Sequence, residues 1–253
     1  MFTQAADKVG IGGFIVSGSS SKRVMARAIG PSLKINGTSI PGRLQDPVLE
    51  LHDANGSPIL FNNNWRDSQE AEITQSGLAP SDDRESAIIK RLDPGAYTAI
   101  IHGADGNPGI GVVELYDLSQ SDPAELGNLS VRADVETGDN VLFNGLILGG
   151  VTPKRILFRA LGPSIQNNGT PVPGTLQNPT LEVYDGNGNL LRSNDDWKDA
   201  PNRTEIELTG LAPGNDRESA VLLLLTPGNY TSIVRGVNGT TGIALAEAYK
   251  LTN

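Results

Sequence analysis

An internal repeat constrains the 253-residue chain more than any other feature. The stretch Gly13-Phe14-Ile15-Val16 through Lys22-Arg23-Val24 to Ala28-Ile29-Gly30-Pro31-Ser32-Leu33 returns as Gly145-Leu146-Ile147-Leu148 through Lys154-Arg155-Ile156 to Ala160-Leu161-Gly162-Pro163-Ser164-Ile165. The register of Gly13 with Gly145 holds from Asp7/Asp139 to Trp65/Trp197. It moves on by one residue near Pro201 and then persists to Tyr116/Tyr249. Two copies of this size each have enough chain for a core of their own. The expected division is a first repeat over 1–119, a linker with a bridging strand over 120–138, and a second repeat over 139–253. A side chain present in both copies is a candidate for the fold or for a shared site, and one present once is suspect as a catalyst.

Short apolar or alternating runs predict strands over 9–16, 23–29, 48–52, 59–61, 86–90, 97–102 and 111–116. The second copy repeats them over 141–148, 155–161, 181–184, 190–192, 219–225, 230–235 and 243–249. Gly, Pro or Asn-Gly separates nearly all of them, and no segment sustains the 3.6-residue period of a helix. Asn55-Gly56 and Asn187-Gly188 predict hairpin turns with positive φ at glycine. Asp93-Pro94-Gly95 and Thr226-Pro227-Gly228 predict type II turns leading into strands that open on Tyr97 and Tyr230, each a sheet-corner anchor. The fold class that follows is all-β, two tandem antiparallel β-sandwiches of jelly-roll or immunoglobulin-like kind.

The series Leu181-Glu182-Val183-Tyr184-Asp185-Gly186-Asn187-Gly188, Thr226-Pro227-Gly228-Asn229-Tyr230 and Gly236-Val237-Asn238-Gly239 resembles the bacterial pre-peptidase C-terminal (PPC) type of β-sandwich. Leu49-Glu50-Leu51-His52-Asp53 and Asp93 to Tyr97 match it in the first copy. The unit is also similar to tandem repeats of large bacterial surface proteins carrying an Arg-Ala-Ile-Gly-Pro-Ser element, here Arg27 to Ser32 and Arg159 to Ser164. The resemblance implies the sandwich fold and an extracellular or cell-surface setting.

A net charge of −9 without a basic block argues against nucleic acid as partner, and no apolar run approaches the ~20 residues of a membrane span. With no cysteine there is neither disulfide nor thiolate site. Met1-Phe2-Thr3-Gln4 shows no secretory signal, and Asn36, Asn168 and Asn229 head glycosylation triplets that read first as turns. His52 faces Tyr184 and His102 faces Arg235 across the repeat, so neither is duplicated, and no catalytic residue is assigned. Oxygen-bearing residues cluster at Asn63, Asn64 and Asp67 and at Asn194, Asp195, Asp196 and Asp199. They are candidate calcium ligands, with local turn bonding as the alternative. Trp65 and Trp197 beside these loops could stack on a polysaccharide, or else pack in the core, and only 5% of residues are aromatic. Arg27 and Arg159 in apolar strands call for carboxylate partners, with Glu114/Glu247 and Glu85/Glu218 at hand.

Leu129, Val131, Ala133 and Val135 alternate with polar residues, which predicts one further strand delivered to the second repeat after a turn at Ser121. The alignment starts the chain partway through the same strand of the first repeat. The first repeat is therefore expected to have an under-paired border that recruits another strand. Assembly is assigned to Leu129, Val131, Ala133, Val135 and Phe2. The expected function is a non-enzymatic extracellular structural protein associating head to tail in a filament or array. An accessory carbohydrate- or matrix-binding module of a secreted protein, with or without dependence on calcium, is the alternative, and no cofactor is required.

Overall fold

A computed structural model describes residues 2–3, 9–35, 37–119, 124–138, 140–167 and 169–251. The Asp7/Asp139 match, the triplets at Asn36 and Asn168 and the turn at Ser121 fall outside these residues. The chain divides into two compact units, Met1–Gly127 and Asn128–Asn253. Unit 1 holds β1 (Phe2–Thr3), β2 (Gly10–Ser17), β3 (Lys22–Ile29), β4 (Lys34–Ile35), β5 (Thr38–Ser39), β6 (Pro47–His52) and β7 (Pro58–Asn62). It continues with α1 (Glu70–Gln75), β8 (Ser86–Leu92), β9 (Gly95–Gly103), β10 (Gly109–Ile110) and β11 (Val112–Asp117). Strand β12 (Glu125–Val135) starts in unit 1 and continues in unit 2, so the boundary falls inside the segment expected to link the repeats. Unit 2 adds β13 (Leu142–Leu148), β14 (Lys154–Leu161), β15 (Gln166–Asn167), β16 (Thr170–Pro171) and β17 (Pro179–Asp185). After these come β18 (Leu190–Asn194), α2 (Arg203–Leu208), β19 (Ser219–Leu225), β20 (Gly228–Gly236) and β21 (Gly242–Lys250).

The class is all-β, built on antiparallel ladders. In unit 1, β11-β3-β8 faces β2-β9-β6-β7. Inward residues of both layers, including Phe14, Val16, Leu49 and Ile101 on one side and Val24, Ala26, Ala28 and Ile88 on the other, form one core. Burying each larger side chain contributes roughly 1.5–3 kcal/mol. In unit 2, residues 128–135 of β12 extend the matching sheet, giving β12-β21-β14-β19 opposite β13-β20-β17-β18.

The two helices were not expected from the sequence. Each has six residues, under two turns, so no periodicity can build up. Each lies in a segment folded over the outer face of the three- or four-stranded layer, and Ile73 and Ile206 are fully buried there. The type II turns are also corrected. Gly95 has no positive φ and already belongs to β9, and Gly228, at φ 159°, is extended and already belongs to β20, while Gly56 and Gly188 do take φ values of 78° and 81°. The corner anchors are present: Tyr97 Oη donates to Asp93 O at 2.8 Å and Tyr230 Oη to Thr226 O at 2.7 Å.

Candidate functional site

The difference between the two units lies at one sheet border. In unit 2, β12 pairs with β21 through Leu129↔Ala248, Val131↔Ala246 and Ala133↔Ala244, and Val131, Ala133 and Val135 are 7%, 6% and 0% exposed. Leu251 N bonds Arg155 O, so the alternation of an antiparallel ladder turns Ala244, Ala246 and Ala248 toward β12. In unit 1, Leu118 N bonds Arg23 O and sets the same alternation, which turns the N–H and C=O of Val113 and Leu115 away from β3. Among the described residues, only a two-residue stub continues the border on that side. Phe2 pairs with Ile110 and Thr3 with Gly109, the counterparts of Asp134↔Ile243 and Val135↔Gly242. All six residues of β11 are half-buried, whereas Ala244, Ala246 and Ala248 of β21 are buried.

Next to this border the repeated arginine meets its expected partner. Arg27 Nε donates to Glu114 Oε2 at 2.8 Å and Nη2 to Tyr116 Oη at 2.9 Å. Arg159 likewise bonds Glu247 at 2.8 Å and Tyr249 Oη at 3.2 Å, with Nη1 on Leu211 O at 2.7 Å. Burial, with the Glu247 charge second, pushes the Tyr249 phenol up to about 12. The Tyr116 phenol is likewise raised, first by burial and then by the Glu114 charge. Glu247 is 8% exposed and Glu114 32%, so the pair beside the covered border is the drier one. Losing one partner of such a buried pair costs about 3–5 kcal/mol.

The second repeated acid has a role that its sequence neighbours do not announce. Glu218 is fully buried, and its Oε1 accepts from Gly162 N at 2.9 Å, Ser164 N at 2.9 Å and Ser164 Oγ at 2.7 Å, while Oε2 accepts from Asn215 N at 3.1 Å. Glu85 does the same for Gly30, Ser32 and Asp82. The Gly-Pro-Ser element is therefore a cradle for a carboxylate of its own unit. Its duplication was the only signal in the sequence.

The oxygen-rich loops are partly committed to local bonds. Asn194 Nδ2 donates to Asp196 O and its Oδ1 accepts from Ala220 N, both at 2.9 Å, while Asn64 donates to Asp67 at 3.0 Å. Asn63 and Asp196 are half-buried, and Asp195 and Asp199 are exposed. The Asp195 carboxyl is raised first by burial, then by the charges of Asp196 and Asp199. Among the described residues, no group of three or more His, Asp and Glu is arranged to hold a metal ion. Trp65 and Trp197 are 3% and 6% exposed and pack with Ile73 and Ile206 respectively. The Arg66 guanidinium lies 4.2 Å over the Trp65 ring, and Trp197 Nε1 donates to Asn215 O at 3.1 Å. Their faces are filled by protein, not open to a sugar.

His52 and His102 flank Glu50, at 2.8 and 3.1 Å, and their second ring nitrogens meet Gly56 O and Gly103 O. The bond from His52 comes first in holding the Glu50 carboxyl below the usual range. For His52, burial pulls the pKa down, but the bonds to Gly56 O and Glu50 and the charges of Glu50 and Asp53 more than offset it. The raised His52 value contributes stability present below about pH 6.5 and lost as pH rises through the folded pKa. The lowered Glu50 value contributes stability present above about pH 4.3 and lost as pH falls through its own. Glu50→Gln and His52→Asn are therefore expected to cost stability at pH 5.5 and much less at pH 8.5, read from urea midpoints. Equal costs at both pH values would refute this.

Comparison with models of protein families and with curated proteins found no match.

Proposed function

We propose that the chain is a non-enzymatic structural protein of the extracellular space or cell surface, whose copies associate head to tail into a filament or array. The observation that carries this reading is the outer side of β11. Val113 and Leu115 direct backbone groups away from β3 there, and the same border of the repeated unit is covered by β12. Among the described residues only β1 continues that border, and strand borders left uncovered recruit further strands. The charged side chains of β11 are satisfied within the unit, Glu114 by Arg27 and Asp117 by Lys22 at 2.8 Å, so an arriving strand meets no unpaired charge. Resemblance to sandwiches of secreted bacterial proteins supports the location, and the duplicated polar groups are engaged inside the fold.

Light scattering and electron microscopy of the purified chain over a range of concentrations test the proposal. They should be run with and without calcium, because Asp195, Asp196 and Asp199 concentrate negative charge on one loop. Mass rising with concentration, with elongated particles, is the expected result. A strictly monomeric species at high concentration under both conditions overturns it.

A further inference from the structure

Both histidines of the chain meet one glutamate on the outer face of the four-stranded layer of unit 1. Alternate residues of a strand share a face, so Glu50 and His52 of β6 project together while Leu49 and Leu51 enter the core. The ladder to β9 sets Ile100 beside Glu50 and His102 beside Val48, which brings His102 to the same face. His52 Nε2 lies 2.8 Å from Glu50 Oε2 and His102 Nε2 lies 3.1 Å from Glu50 Oε1, so the two rings converge on one carboxylate. All three residues are half-buried and can be reached from solvent.

The second nitrogen of each ring decides what can stand between ring and carboxylate. His52 Nδ1 is 3.0 Å from Gly56 O, and His102 Nδ1 is 3.1 Å from Gly103 O. A backbone carbonyl only accepts, so each Nδ1 carries the hydrogen. In the neutral ring Nε2 is then a bare lone pair aimed at a carboxylate oxygen, which also has only lone pairs to offer. Such a contact requires a positive centre between nitrogen and oxygen, either a second proton on the ring or a metal ion. A histidine whose Nδ1–H is held by a backbone carbonyl and whose Nε2 is left to coordinate is also the usual posture of a metal ligand.

The second repeat supplies the comparison. Glu182 stands where Glu50 does, but its neighbours are Tyr184, whose Oη donates to it at 3.0 Å, and Arg235, whose Nε lies 3.6 Å away. Phenol and guanidinium bring their own hydrogens. Unit 1 places an imidazole at both of these donor positions.

We propose that Glu50, His52 and His102 bind one divalent ion of the zinc class, with water completing the coordination. Two imidazole nitrogens and a carboxylate are a ligand set suited to zinc. The three side chains bond one another as they stand, so the ion enters by taking the place of the bridging protons. With bonds of about 2.0–2.2 Å at a tetrahedral angle, nitrogen and oxygen come to lie about 3.4 Å apart, which the rings reach by a small outward swing. Asp53 adds negative charge beside His52 while its Oδ1 is held by Asn55 N and Ser57 N, both at 2.9 Å, so it supports the ion by charge and leaves the ligand set unchanged.

Equilibrium dialysis of the purified chain against zinc chloride at neutral pH tests the site, with cobalt(II) as a spectroscopic substitute. One zinc per chain is expected, with the visible absorption of four-coordinate cobalt. His52→Tyr and His102→Arg install the residues that unit 2 carries at these positions, so both are expected to keep the fold, checked by circular dichroism and melting in metal-free buffer. Each is expected to weaken zinc binding at least about tenfold. A chain that binds no zinc overturns the proposal. So does zinc binding that is unchanged in either histidine variant, which would place the ion elsewhere, as on the loop of Asp195, Asp196 and Asp199.

Discussion

Glu218→Ala is expected to destabilise unit 2 by about 3–5 kcal/mol, enough to consume much of the stability of a domain this size. The carboxylate is fully buried, and its removal leaves the N–H groups of Gly162, Ser164 and Asn215 without their acceptor. Each orphaned buried donor costs about 1–3 kcal/mol, and the cavity adds to this. Glu218→Gln keeps one oxygen for Gly162 and Ser164 but turns an amide N–H₂ toward Asn215 N, so its cost is expected to be smaller, about 1–3 kcal/mol. Urea unfolding followed by intrinsic fluorescence gives both numbers. An alanine variant within 1 kcal/mol of the parent would show that water replaces the carboxylate and that the cradle is not structural.

Gly162→Ala should cost about 3 kcal/mol or more for a different reason. A Cβ at this position would lie 1.8 Å from Leu176 O, and Gly30 in the first unit stands in the same relation to Leu44 O, at 2.3 Å. The obstacle is a backbone carbonyl, and Leu176 cannot retreat easily because its side chain is fully buried and its N–H is bonded to Ile243 O at 2.8 Å. The element Gly-Pro-Ser therefore needs glycine for close approach and serine for the carboxylate, two demands two residues apart. Gly145→Ala is the control: nothing lies within 4 Å of its added Cβ, and the expected change is within about 0.5 kcal/mol. Equal urea midpoints for Gly162→Ala and the control would refute the steric account.

Much of the fold could be read from the chain because strand signals are local. Gly, Pro and Asn-Gly bound nearly all of the apolar runs, so the expected strands lie within a few residues of the observed ones. The Arg27 and Arg159 ion pairs were legible too, since a guanidinium inside an apolar strand requires an anion. The cradle around Glu85 and Glu218 was not, because donor and acceptor are more than fifty residues apart and nothing near either one reveals the match. Trp65 and Trp197 stand among polar residues in the sequence, yet α1 and α2 fold their segments over a sheet and enclose the rings. The same folding commits the Asn62 and Asn194 amides to the backbone of Ala87 and Ala220, a use invisible to composition.

The position of β12 ahead of the strand it covers has a consequence during synthesis. Leu129, Val131, Ala133 and Val135 leave the ribosome before any of residues 136–250, which include β21. At translation rates of about 5–20 residues per second, this apolar ribbon waits on the order of ten seconds for its complement. Through that interval the nascent chain displays the pattern most able to join a neighbouring nascent chain, so crowded polysomes are where misjoined product should first collect.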